Sequence, residues 1–598
     1  MLRTSRLLTS LTAVIALTTA PFAAPLAQES PFYELPDLVE LQRGGMRDVI
    51  EHYSEDLRAL RRFWDVSLSP QRTAQERAFW EVWRKGLDDL DFDALVYDDQ
   101  IDWLLLQNRI GYEFDRLALD AQAWEETAEL LPFADGIISL QEARRRVEPL
   151  NAQVSAGRLH EMVDVVKAVR ARVCTVADDE RESADGEGAP IVVDRLVANR
   201  AASHVRSLQR TLSSWFRYFD GYDPLFGWWC AGPYEELDEE LKGYAKFLRE
   251  KIAGVDEDDT DTILGDPIGA DALQMELARE LIPYTAAELV EIANREFEWC
   301  DAEMLRASRD LGFGDDWRAA LEHVKGLHVD PGDQPRLIVE LAHEAVDFLE
   351  ERDLLTIPTL AKNIWRLEMM SPARQKFTPY FTGGEVISVS FPTGEMAHED
   401  KLMSLRGNNV HFSRATVHHE LIPGHHLQGF MNSRYMTHRG LFSTPFWLEG
   451  WALYWEMQLW DLDFQRSAED RVGMLFWRRH RCARIIFSLG YHLGDMTSDE
   501  CIDFLVERVG HERRNATAEV RRSIQGGYGP LYQAAYMLGG LQFRALHAEL
   551  VESGRMTNRD FHDAILHGNS IPIELIRAQL LGTRLTPDFQ STWRFYDK

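Results

Sequence analysis

A mainly α fold, with a small β-sheet near the helix that carries the densest chemistry, is what this sequence predicts, on three observations. Apolar residues recur at helical spacing through residues 45–65, 76–91, 140–172, 195–219 and 334–351, the pattern of helices that bury one face. Strand signals are few. The 17 tryptophans and 29 phenylalanines furnish a large packed interior, and a chain of 598 residues can hide roughly 75% of its unfolded surface.

The chain opens "MLRTSRLLTSLTAVIALTTAPFAAPLAQES". Arg3 and Arg6 precede an apolar run from Leu7 to Ala20, and small residues follow. The run is shorter than the roughly 20 residues of a membrane span, so residues 1–27 read as a signal peptide with cleavage between Ala23 and Ala27. The expected location is outside the cytoplasmic membrane: the periplasm of a Gram-negative cell, or the medium. No membrane association is expected once the leader is removed. The formal charge of −32 argues against nucleic acid and anionic membranes as partners, since both are bound by basic patches. The five cysteines, Cys174, Cys230, Cys300, Cys482 and Cys501, include no C-x-x-C pair, so no zinc ribbon or thioredoxin-like site is indicated.

Three regions follow the leader: an N-terminal helical region over 28–190, a central helical region over 191–375, and residues 376–598, which carry the chemistry and are expected to join 28–375 in one cooperative fold. Two polar stretches read as loops, "DDERESADGEGAP" at 178–190 and "GVDEDDTD" at 254–261; the second lacks the spacing of a calcium loop. Thr285 and Glu288 form a capping box. From Leu289 the apolar spacing continues to Gly312, predicting one long amphipathic helix. In "EVISVSF", Glu385 to Phe391, β-branched residues alternate with serine between Gly383-Gly384 and Pro392, a strand that either joins a sheet or accepts an extended peptide as an added strand.

Seven of the 19 histidines lie between residues 398 and 438: His398, His411, His418, His419, His425, His426 and His438. At the core of that span, in "HHELIPGHH", the five residues from His419 to Pro423 nearly spell H-E-x-x-H. In that motif two imidazoles one helical turn apart meet on one zinc, and the glutamate beside them acts as general base. Here Pro423 occupies the position of the second histidine, four residues after His419. His425 at i+6 points away by about 120° in a regular helix, and His426 at i+7 shares the face but lies about 10.5 Å along it. Pro423 and Gly424 relieve the problem. Proline disturbs the helix and turns the preceding residue from α dihedrals, and glycine accepts almost any backbone conformation. A break at "IPG" that loops out two residues returns His425 to the face of His419. His425 is the preferred second ligand and His426 the competing one.

A third ligand comes from "FWLEGWALYWEMQLW", residues 446–460, apolar nearly all round and so a buried helix. Glu449 lies inside it. A buried carboxylate needs a partner, and either a divalent metal or an arginine supplies one. Two histidines and a glutamate form a catalytic zinc set with an open fourth position, and Glu456 is placed to support a ligand from behind. Paired E-x-x-H motifs of a two-iron helical site are not evident.

"HHELIPGHHLQ" followed by "LEGWALYWE" resembles the bacterial domain-of-unknown-function 885 family. The resemblance extends to "IGADALQMELARELIPYTAAELVEIANREFEW", "ERDLLTIP", "YFTGGEVISVSFP" and "AEVRRSIQGGYGPLYQAAYMLG", covering most of residues 40–590. It implies a large helical zincin-like metallopeptidase fold, zinc on His419, His425 and Glu449, Glu420 as general base, and peptide substrates. It also implies that Tyr536 donates to the oxyanion of the tetrahedral intermediate, although Tyr536 reads equally as a core tyrosine. One departure stands out: Tyr532 occupies the place where the family's P-G-Q-A stretch has its glutamine, with Gln533 next to it. Arg522 in the same motif reads either as a substrate-carboxylate group or as half of a structural ion pair. The expected activity is a zinc-dependent peptidase. Alternatives are a zinc hydrolase of a non-peptide amide or ester, and a non-catalytic peptide-binding relic. Oligomeric state and the direction of cleavage are not legible.

Overall fold

The computed structural model describes residues 32–175, 189–256, 262–375 and 380–596. The leader, residues 178–188 of the first polar loop and residues 257–261 of the second lie outside the described residues. The fold is 70% helix and 3% strand, and among the described residues there are two sheets, each two-stranded. None of its helices is long and apolar enough to cross a membrane, among the described residues.

One hydrophobic core reaches from Leu38 to Phe595. A second, from Val66 to Ala253, draws residues from both sides of position 190. It packs α1 (Ala152–Arg172), α2 (Arg195–Phe219) and α3 (Pro224–Phe247) together. β1 (Val173–Thr175) and β2 (Ile191–Val193) pair in parallel beside them. The capping box forms as the sequence predicts: Oγ1 of Thr285 accepts from the amide of Glu288, whose carboxylate accepts from the amide of Thr285. The helix it starts, α4 (Ala286–Asp310), buries Leu289, Ile292, Ala293, Phe297, Cys300 and Met304. Cys230, Cys300, Cys482 and Cys501 are buried free thiols.

The third core is small and positions the site. It joins α5 (Gln334–Glu351) to the second sheet, β3 (Arg366–Met369) and β4 (Val386–Val389), and to the end of α6 (Val410–Glu420) through Ile338, Leu341, Ile387, Val389, Val417 and Leu421. β4 runs parallel to β3, with Arg366 opposite Val386 and Met369 opposite Val389. Its other edge is engaged at Ser388, which exchanges both backbone hydrogen bonds with Thr382. That residue of the predicted strand therefore has no free edge for an added peptide.

After α6 come α7 (His425–Asn432), α8 (Pro445–Asp461), α9 (Ala468–Leu493), α10 (Arg513–Gln525) and α11 (Tyr532–His547). α8 is buried along almost its whole length, as its all-round apolar sequence requires. Its backbone touches that of α11. A Cβ on Gly450 would lie 2.5 Å from Cα of Gly539, and one on Gly539 would lie 2.1 Å from the carbonyl oxygen of Phe446. Only glycine permits that approach, and it brings the tyrosines of α11 against the first turns of α8.

Candidate metal centre

α6 ends at Glu420 and α7 begins at His425, so the histidine motif is two helices joined by a short loop. The residues that build the loop are those the sequence singles out. The Ile422–Pro423 peptide is cis. The amide of Gly424 donates to the carbonyl of His418 at 3.0 Å, and the amide of His426 to that of Leu421 at 3.1 Å, so the polypeptide folds back on the last turn of α6. A Cβ on Gly424 would stand 1.7 Å from the carbonyl oxygen of His419, so no other residue fits. Nε1 of Trp451 on α8 donates to the carbonyl of Pro423 at 2.8 Å. The helix that carries Glu449 thus also clamps the loop. Gly424→Ala is expected to destabilise the protein by about 1–3 kcal/mol, the usual cost of overpacking, and to separate the two imidazoles. Thermal unfolding checks the first effect; an unchanged Tm would contradict the tight fit.

Folding back places the rings of His419 and His425 4.9 Å apart, nearly perpendicular. His425, His419 and Glu449 each offer one ligand atom, all within 4.8 Å of one another. Oε2 of Glu449 is 3.2 Å from Nε2 of His425 and 3.6 Å from Nε2 of His419. This oxygen is buried, accepts no hydrogen bond of good geometry and has the two Nε2 atoms as its nearest polar neighbours. A buried carboxylate oxygen of that kind is costly unless something else takes it up. A divalent cation shared with the two Nε2 atoms fits the donor set, which combines imidazole and carboxylate ligands.

The other nitrogen of each histidine is held from behind. Nδ1 of His419 donates to Oε1 of Glu456 at 2.7 Å, and Nδ1 of His425 to Oε1 of Gln428 at 2.9 Å. Gln428 in turn donates to the carbonyl of Leu448 at 2.7 Å. Both Nε2 atoms are therefore fixed as the inward-facing lone pairs in the neutral state. The remaining oxygen of Glu449 accepts from the hydroxyl of Tyr532.

The charges follow this arrangement. The two histidines hold Glu449 well below the usual carboxylate range despite its burial. Burial raises Glu420, a half-buried residue at the end of α6. Glycine is again required beside it: a Cβ on Gly383 would meet Oε2 of Glu420 at 2.3 Å. Burial raises Tyr536, and the charge of Glu449 adds to the effect. Its ring stacks parallel to that of His419 at 6.2 Å.

Of the seven clustered histidines, two converge. His426 donates through Nε2 to the carbonyl of Ala361 at 2.8 Å, which takes it away from the triad. His411 pairs with Asp470 at 2.6 Å and His438 with Asp102 at 2.7 Å. His418 is buried against Phe464, both nitrogens lack partners, and burial lowers it to about 3. Sequence reasoning missed Gln428, Trp451 and the bond from Tyr532. Only Gln428 left a readable signal, one helical turn after His425.

A large helical protein with a His–His–Glu triad, buried at His419 and Glu449 and half-buried at His425, backed by a glutamate, a glutamine and a tyrosine, is the class that fold and site define. Residues 58–580 match the family described as "Bacterial protein of unknown function (DUF885)", and the chain belongs to that family. Two solved structures share its fold. One is described as "a putative lipoprotein of unknown function from Shewanella oneidensis", with a TM-score of 0.65 and 15% identity over 90% of this chain and 100% of that chain. The other is described as "the putative lipoprotein from Colwellia psychrerythraea", with a TM-score of 0.53 and 14% identity over 90% of this chain and 98% of that chain. No curated protein matches.

Proposed function

We propose that the protein is an exported zinc-dependent peptidase of the helical two-histidine, one-glutamate kind, and the observation that carries this reading is the convergence of one ligand-type atom each from His419, His425 and Glu449. Zinc bound there supplies a Lewis acid that brings the pKa of water toward neutrality. Glu420, next in the chain to a ligand and partly open to solvent, takes the proton from the attacking water and passes it to the leaving amine; its raised proton affinity suits both transfers. Tyr536, whose ring stacks on His419, donates a hydrogen bond to the oxyanion, and burial, which raises its pKa, keeps the phenol protonated for that role. Glu456 and Gln428 hold the imidazoles in the ligating tautomer. The leader-like sequence and the lipoprotein descriptions of the two fold neighbours support export.

Metal content together with a mixed-peptide digest read by mass spectrometry tests this function. Bound zinc and cleaved peptides are expected. Zinc with cleavage only of non-peptide amides or esters would replace the substrate class. A chain that holds no zinc and cleaves nothing would leave a binding protein.

The triad also makes metal binding pH-dependent. In the metal-free chain His425 stays protonated up to about 9; burial opposes its charge, but Glu449 and Glu420 outweigh burial. A folded-state value above the ordinary 6.5 means that this pairing stabilises the metal-free fold fully below about pH 6.5 and is lost as pH rises through about 9. Zinc requires the neutral imidazole and expels its proton. Between those values zinc affinity is therefore expected to rise with pH. Calorimetric titration in two buffers of different ionisation enthalpy reads the released proton; identical heats in the two buffers would refute it.

A further inference from the structure

Three arginines gather beside the triad, and the nearby carboxylates leave them incompletely paired. Cζ of Arg481 lies 4.5 Å, and Cζ of Arg484 4.4 Å, from the centre of the Tyr536 ring. Arg484 takes Oε1 of Glu519 at 2.7 Å. Arg481 reaches Oε1 of Glu456 only at 3.5 Å, an oxygen that already accepts from His419. Arg522 on α10 is left with the other oxygen of Glu519 at 4.0 Å and with the hydroxyl of Tyr528 at 3.4 Å. Nε of Arg522, Nε of Arg481 and Nη1 of Arg484 are buried without a hydrogen-bond partner. Buried N–H groups are almost always paired, and a guanidinium is matched best by the two oxygens of a carboxylate.

Arg522 is the member of this group that a substrate can reach. Its side chain keeps 20% of its surface accessible, and the adjacent Tyr528 is exposed. The ring of Tyr528 lies 4.4 Å from that of Tyr532, whose hydroxyl is bonded to Glu449, and Cζ of Arg522 lies 5.2 Å from the ring of Tyr528. Two aromatic rings thus separate the triad from Arg522, a gap that a few extended residues at about 3.4 Å each would span.

We propose that Arg522, with Tyr528 beside it, binds the free α-carboxylate of the substrate, so that the site acts on peptides with an unblocked C-terminus and releases a short C-terminal unit. This assignment rests on the peptidase reading for its reaction, though not for the binding itself. The position of the carboxylate relative to the scissile bond then sets the length released. Arg481 and Arg484 add positive potential behind the subsite.

The test uses one peptide in three forms: free acid, C-terminal amide and N-acetylated free acid. Cleavage is measured with the zinc-loaded protein and affinity by calorimetry with Glu420→Gln. Amidation is expected to lower kcat/KM and affinity by roughly 10- to 100-fold, the range for a hydrogen bond to a charged group. N-acetylation should change neither. Arg522→Ala is expected to erase the difference between acid and amide, and Arg522→Lys to keep part of it, which a purely structural ion pair with Glu519 would not do. Should Arg522→Ala fail to fold, the acid–amide comparison in the unaltered protein decides. Equal cleavage and equal binding of acid and amide would overturn the subsite. Acid-selective binding without cleavage would support the subsite and overturn the peptidase reading. No binding and no cleavage of any form would overturn both.

Discussion

Glu420→Gln is expected to leave the zinc content unchanged and to lower kcat by roughly 10²- to 10⁴-fold, the span of a general acid–base contribution. Glutamine keeps the shape that packs against Gly383, so the end of α6 should not move. The atoms proposed to hold zinc come from His419, His425 and Glu449, and Glu420 is not among them. What the variant lacks is a group that takes a proton from water and returns it to the leaving amine. Elemental analysis and peptide turnover on the same preparation separate the two effects. Full activity would remove Glu420 from the chemistry; loss of zinc would make it a ligand.

The second large effect distinguishes two adjacent histidines. His425→Ala is expected to abolish tight zinc binding and with it activity, a greater loss than the roughly 10- to 100-fold that removal of a supporting partner costs in metal affinity. One of the three proposed ligands disappears, and Glu449 loses the imidazole 3.2 Å away. His426→Ala should keep zinc and turnover, because His426 spends its Nε2 on the carbonyl of Ala361. Its cost is a buried hydrogen bond, about 0.5–1.5 kcal/mol, read as a lower Tm. Zinc loss from the His426 variant with retention in the His425 variant would reverse the assignment.

Much of the fold is legible because helices announce themselves locally. The capping box at Thr285 and the buried stripe of α4 form as their spacing demands, and the all-apolar sequence of 446–460 becomes a buried helix. The strand at 385–391 appears in shortened form as β4, but its parallel partner, residues 366–369, carries no comparable signal. Short strands take their pairing from distant segments, so a sequence window does not contain the information. The candidate site divides in the same way. The interruption of the histidine motif is readable, since Pro423 and Gly424 act on their own backbone. The tyrosine that bonds Glu449 is not: Tyr532 stands 83 residues away and reads as a departure from the family pattern until the glycine contact between α8 and α11 brings it in.

By itself the sequence determined the ligand-type residues, the break between them and the buried helix that supplies the carboxylate, because propensity, periodicity and the steric limits of proline and glycine are local. Only the tertiary structure decided that His425 rather than His426 faces His419, that Trp451 clamps the loop, that Tyr532 takes the second oxygen of Glu449, and that three arginines crowd one side of the triad. Each of these depends on which residues distant in the chain become neighbours, and that follows from how the helices pack rather than from any one of them.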